Sequence, residues 1–151
     1  MAPRVHGHRI EGKISLTYSS YMSMKSRCSN PCMPCYPKYG GNGVEICESW
    51  KDSFVNFLAD MGERPAGTTL DRIDNSKGYF PDNCRWATPK QQGNNRTTNK
   101  ILTIGGKQLT MQQHCDDVGL YKHTFMERLK MGWDLERALF TPVRKQHNNW
   151  R

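Results

Sequence analysis

Asp71, Gln92 and Asn95 are the residues of this 151-residue chain whose types and spacing could hold a metal ion. Leu70–Ile73 reads as a short strand that ends in charge. Asp74-Asn75, Lys77-Gly78 and Pro81 punctuate a loop from Asp74 to Asp82. Cys84–Ala87 reads as a second short strand. Thr88 then caps a helix, with Pro89 at the first helical position and Gln91 placed to complete a capping box. Strand, loop, strand and helix within residues 68–99 bring the end of the first strand against the first turns of the helix. Asp71 and Arg72 then stand opposite Gln92 and Asn95, which share a helix face at i,i+3. A carboxylate facing amide oxygens suits a hard divalent cation, which prefers oxygen ligands.

The same stretch carries Leu70-Asp71-Arg72-Ile73-Asp74-Asn75, Gly78-Tyr79, Pro81-Asp82-Asn83-Cys84-Arg85-Trp86-Ala87-Thr88, Gln92 and Asn94-Asn95-Arg96. It resembles the HNH (ββα-metal) endonucleases, especially the small homing type carried by phages and mobile elements. Arg27-Cys28, Tyr39-Gly40-Gly41, Cys47-Glu48-Ser49-Trp50 and Asp60-Met61-Gly62-Glu63-Arg64-Pro65 resemble the same group, so the likeness extends over residues 18–140. It implies a metal-ligand Asp at Asp71, a general-base His at the next position, a structural Asn at Asn83 and a second metal ligand at Gln92. The implied cofactor is one Mg²⁺ or Mn²⁺ per site.

Two positions depart from that pattern. Arg72 occupies the base position, and arginine stays protonated and cannot accept a proton from water. Gln92 stands where His or Asn is usual, though an amide oxygen still ligates a hard cation. Three sources of a base stay open: Asp74, a His from elsewhere in the chain, or water acidified by the cation itself. In the last case Arg72 would stabilise phosphate charge in the transition state. The other reading of Asp71 and Arg72 is an ion pair in a protein that binds DNA without cutting it.

Composition fits a nucleic-acid partner. Lys and Arg number 22 against 14 acids, a net charge of +8, and the pI is near 9.3. Only 36% of residues are apolar and mean hydropathy is −0.81, so the core must be small. No apolar run approaches the roughly 20 residues of a transmembrane helix, and the N-terminus has no apolar signal-peptide region. A cytoplasmic protein with no membrane partner is the expectation, and the resemblance implies that it is phage-encoded and works in a bacterial host. Its six cysteines are then thiols or metal ligands rather than disulfides. Cys32-x2-Cys35 is a tight ligand pair that Cys28 or Cys47 could complete as a structural Zn²⁺ site. The alternative is that these thiols are small buried hydrophobes.

The expected fold class is α+β: a ββα-metal finger embedded in a small helical domain, followed by a hairpin and a helix-turn-helix-like segment. Residues 1–13 read as a basic flexible arm, 14–100 as the nuclease domain, 101–141 as the DNA-binding segment and 142–151 as a basic tail. Residues 16–28 read as a helix with Tyr18, Tyr21, Met22, Lys25 and Cys28 on one stripe. Ser49-x-x-Asp52 is placed to cap a helix reaching Met61, with Trp50, Phe54, Phe57, Leu58 and Met61 inward. Gly105-Gly106 turns a hairpin over 101–110. Thr110-x-x-Gln113 caps a helix to Val118, Gly119 stops it, and 122–131 forms a second helix with Phe125, Met126 and Leu129 inward.

Arg85, Lys90, Asn94, Arg96 and Lys100 are the candidate backbone contacts around the finger. Lys122, His123, Thr124 and Arg128 are the candidates on the second helix, whose N-terminal end would enter a major groove. The expected function is a metal-dependent endonuclease or nickase acting on double-stranded DNA, as monomer or homodimer. The alternatives are an inactive, sequence-specific DNA-binding protein of the same fold, and a zinc-stabilised interaction module.

Overall fold

The computed structural model describes residues 7–10 and 13–143. The rest of the expected arm, and residues 144–151 of the expected tail, lie outside the described residues. The chain divides into two compact units, Met1–Asn95 and Arg96–Arg151. Both mix helices with two-stranded antiparallel ribbons. Among the described residues no helix is long and apolar enough to cross a membrane.

The first unit opens with β1 (Arg9–Ile10) paired antiparallel to β2 (Lys13–Ile14), so residues 9, 10 and 13 of the expected arm are in strands. Ser15 then caps α1 (Leu16–Ser29), its hydroxyl accepting from the Tyr18 amide at 3.1 Å. The buried face of α1 is Thr17, Tyr21 and Met24. This corrects the expected stripe: Tyr18 and Cys28 lie at its edge, and Met22 is 47% exposed. The cause is polar. The buried Thr17 hydroxyl accepts the backbone N–H of Arg64 at 3.0 Å, which pulls that side of the helix inward.

The single helix expected over 49–61 is two helices, α2 (Glu48–Lys51) and α3 (Phe54–Met61). Ser53, not Ser49, is the cap of the longer one, accepting from the Asn56 amide at 3.2 Å. Such a hydroxyl competes with the helix for its own backbone. Carbonyls near the break find other donors: Tyr21 Oη donates to Trp50 O at 2.8 Å, and Asn56 Nδ2 to Ser49 O at 3.0 Å. Gly62 ends α3 at φ +65°. Tyr21, Met24, Ile46, Trp50, Phe54, Phe57, Tyr79 and Cys84 form the core. Its rings meet edge-on, Trp50 and Phe57 at 5.0 Å and Tyr18 and Phe54 at 4.9 Å.

On this core rest β3 (Thr69–Arg72) and β4 (Cys84–Ala87), antiparallel, with Asp71 opposite Arg85 and Arg72 opposite Cys84. A 3₁₀ turn at Pro81–Asn83 precedes β4. After β4, Thr88 caps α4 (Pro89–Asn94) in a full capping box with Gln91. Trp86 Nε1 donates to Met61 O at 2.8 Å, which ties the ribbon to the end of α3.

The second unit begins with β5 (Ile101–Ile104) and β6 (Lys107–Thr110), joined through Gly105 and Gly106 at φ +56° and +77°. Both central turn residues need the left-handed region, which glycine enters without a Cβ penalty. Then come α5 (Met111–Val118) with a complete Thr110–Gln113 capping box, α6 (Lys122–Lys130) and α7 (Leu135–Phe140). Ile104, Cys115, Phe125, Ala138 and Leu139 form its own core. Met126, expected inward, is 41% exposed.

Candidate functional site

Alternation along β3 sends Asp71 and Arg72 to opposite faces of the ribbon. On the outer face, Asp71 Oδ2 accepts from Arg85 Nε and Nη2, both at 3.1 Å, and from Asn95 Nδ2 at 3.2 Å. The Asp71 side chain is only 12% exposed, whereas Arg85 keeps 37% of its own in solvent. Asn95 follows the last residue of α4, and its Nδ2 also donates to Arg72 O at 2.5 Å. Asn75 Nδ2 donates to Asn95 O at 2.6 Å, so the loop after β3 grips the end of α4. Gln92 Nε2 donates to Thr69 Oγ1, which leaves the amide oxygen as the ligand atom of that side chain. Asp71 is thus carried on β3, Gln92 on α4 and Asn95 just past its end, with Asn95 bonded to Asp71 and Gln92 to Thr69. The ion pair weighed for Asp71 with Arg72 is instead made with Arg85, the cross-strand neighbour.

Asn83 is buried and closes the loop. Its Oδ1 accepts the Asp74 amide at 2.9 Å, and its Nδ2 donates to Asp74 O at 3.0 Å and Gly78 O at 2.9 Å. From the other side the loop docks on residues 45–47: Tyr79 N donates to Glu45 O at 2.7 Å and Cys47 N to Tyr79 O at 2.9 Å. Gly78 is required there, because a Cβ would stand 2.4 Å from Glu45 O. Asp74 is occupied locally. Its Oδ1 accepts from Ser76 Oγ at 2.6 Å and Ser76 N at 2.9 Å, and these bonds lower its carboxyl below the ordinary value. A general base needs a pKa nearer the working pH, so this environment moves Asp74 away from that task.

Arg72 is 8% exposed and faces inward. Its guanidinium lies 5.3 Å from the ring centres of both Tyr39 and Tyr79, and Nη1 donates to Lys77 O at 2.6 Å. Arg27 extends the stack over the other aromatic neighbour, 5.5 Å from the Tyr39 ring. Burial pushes the Tyr79 phenol up to about 12, opposed by the charge of Arg27 and its hydrogen bond. The expected place of Arg72 beside the phosphate is corrected by this geometry: a guanidinium on the core side of β3 is turned from the Asp71 carboxylate. Of the described histidines, His8 in the first unit bonds Ser15 Oγ at 2.9 Å and packs edge-on against Phe54 at 5.0 Å. His114 and His123 belong to the second unit, and His114 is buried with Nε2 on Leu102 O at 2.9 Å.

All six cysteines are free thiols. Cys32 is exposed and Cys28, Cys35 and Cys47 are half-buried. Among the described residues no three or more His, Cys, Asp or Glu side chains form a group that could hold a metal ion. Burial raises the Cys28 thiol, against the opposing charges of Arg72 and Arg27.

Of the candidate DNA contacts in the first unit, Lys90 is exposed on α4, and Arg85 and Asn94 are half-buried. In the second unit Arg96, Lys100, Lys122 and His123 are exposed and Thr124 is half-buried, next to Tyr121 at 83% exposure. Arg128 is a correction: it is 7% exposed. Its guanidinium donates to Ala138 O at 2.8 Å, Thr141 O at 2.6 Å and Pro142 O at 3.3 Å, holding the carbonyls that α7 leaves open at its end. The sequence reading missed the Arg85–Asp71 pair and the tyrosine stack. The pair had a signal, since the strand register alone puts the two residues opposite. The stack had none, because Tyr39 approaches from a distant loop. No family model matches the chain, and no curated protein or solved structure matches it.

Proposed function

We propose that the chain is a metal-dependent DNA endonuclease or nickase of the HNH type. The observation that carries the reading is one carboxylate with two carboxamides beside it: Asp71, with Asn95 bonded to it through Nδ2, and Gln92 one helical turn earlier. One carboxylate and two carboxamides suit a hard divalent cation, so the donor chemistry fits Mg²⁺ or Mn²⁺ held by Asp71, Gln92 and Asn95. Such an ion would supply Lewis-acid polarisation of a phosphoryl oxygen. Asn83 keeps the loop closed and so keeps β3 in register with β4. Arg72 clamps the same loop from beneath through Lys77 O. Arg85 and Lys90 in the first unit, and Arg96, Lys100, Lys122, His123 and Thr124 in the second, would meet phosphates or base edges of double-stranded DNA.

A second reading is a DNA-binding protein of this fold that does not cut. Two observations favour it: Arg72 is buried where the family carries its base, and Asp74 is held acidic by Ser76. Nicking of supercoiled plasmid at low salt separates the two. Cleavage with Mg²⁺ or Mn²⁺, abolished by EDTA and reduced at least about 100-fold in Asp71→Ala, is the expected result. Salt-sensitive DNA binding with no cleavage under either metal would establish the second reading.

A further inference from the structure

Resting on the nuclease reading above, we propose that Arg85 guards the cation site and couples its filling to DNA binding. Asp71 supplies the sole carboxylate of the donor set, and its Oδ2 is occupied by two N–H groups of Arg85. A cation approaching that oxygen must displace both and also meets the guanidinium charge. Asn95 is fixed differently. Its Nδ2 is shared with Arg72 O, so the amide keeps its place and holds the Asp71 carboxylate when Arg85 departs. Arg85 can depart: with over a third of its side chain in solvent, its fork can swing outward on an unchanged strand. A phosphodiester is the partner that matches it, because guanidinium binds phosphate oxygens in the same two-pronged way as carboxylate.

The consequence is a linkage. Phosphate draws Arg85 away and opens Asp71 Oδ2 to the cation, and the cation in turn frees Arg85 for phosphate. Each ligand therefore tightens the other by the same factor. Without DNA the ion pair keeps the site closed, which limits idle cation loading.

The test is Mn²⁺ titration of the full chain at low salt, followed by electron paramagnetic resonance, for wild type, Arg85→Gln, Arg85→Lys and Asp71→Asn. Circular dichroism checks the fold of each. Arg85→Gln is expected to bind Mn²⁺ about tenfold tighter than wild type without DNA, because a neutral amide removes the opposing charge. Arg85→Lys should gain about threefold, since a point charge cannot make both N–H contacts; it also decides the matter if the Gln variant does not fold. Asp71→Asn should lose the site. In anisotropy titrations of a labelled duplex, Mn²⁺ should tighten binding by wild type several-fold more than it tightens binding by Arg85→Gln. Mn²⁺ affinity that is equal or weaker in both Arg85 variants, yet lost in Asp71→Asn, would overturn the guard and leave the metal site standing. No Mn²⁺ site in any variant would overturn both.

Discussion

The guanidinium of Arg72 has two phenol rings and a backbone carbonyl for neighbours, and the side chain is largely buried. Cation–π contacts out of solvent are worth about 1–2 kcal/mol each, and the bond to Lys77 O adds a charge-assisted term. Arg72→Ala is therefore expected to lower stability by about 2–4 kcal/mol in urea denaturation. Asp71→Asn, which keeps the side-chain shape on the outer face, should change it by less than about 1 kcal/mol. Equal losses would mean that Arg72 is no more structural than its neighbour. Cys84 offers a second test on the same buried side. Burial holds its thiol up to about 12, against an ordinary value of 9.0. The unfolded chain then releases this proton from about pH 9 while the folded chain keeps it. The contribution is intact below pH 9 and is lost as pH climbs to 12, at up to about 1.4 kcal/mol per pH unit for one proton. Tyr79 adds to the loss above pH 10, its ordinary value. Cys84→Ala should flatten the fall in stability between pH 9 and 10, measured by denaturant titration at each pH. An unchanged slope would show that the thiol ionises equally in both states.

At the scale of elements, β3 and β4 form a ribbon whose connecting loop is held by one amide. Asn83 makes three bonds to backbone groups at Asp74 and Gly78. An alanine there strands a buried N–H and two carbonyls, so Asn83→Ala should cost about 2–4 kcal/mol. Hydrogen exchange should quicken at the amides of 73–79 before it does in α1. Uniform loss of protection across the first unit would show that the loop has no stability of its own to lose. Elements like these were legible where their causes are local. Thr88-Pro89-x-Gln91 and Thr110-x-x-Gln113 encode their caps within four residues, and both capping boxes form. Gly105-Gly106 encodes its turn the same way. The break at Ser53 was not legible, because it depends on Tyr21 reaching Trp50 O from another helix. Nor was the inward turn of Arg128, since the carbonyls it binds lie on α7 and beyond. The site follows the same division. Asp71, Gln92 and Asn95 sit on neighbouring segments and could be read together, and alternation along β3 turns Arg72 from Asp71, whereas the ring that Arg72 meets at Tyr39 lies far upstream.

For the whole molecule, the two units each enclose a core of their own, one built on Trp50 and Phe57 and the other on Phe125 and Leu139. The candidate cation edge belongs wholly to the first, and the exposed cluster Tyr121, Lys122 and His123 to the second. A net charge of +8 on so small a chain suits a polyanion, so on the proposed function affinity for DNA should fall steeply with salt. If the cores are energetically separate, damage to one should stay there. Phe125 is fully buried in the smaller core, and truncating such a ring costs about 3–5 kcal/mol. Phe125→Ala in the full chain should therefore strip hydrogen-exchange protection from amides of 101–140 while those of α1, α3 and β4 keep theirs. Its DNA affinity should drop while the Mn²⁺ affinity of the Asp71 site holds, because no residue of the second unit belongs to the donor set. Protection lost together in both units would show one cooperative domain, and Mn²⁺ affinity lost with it would place part of the cation site's support in the second unit.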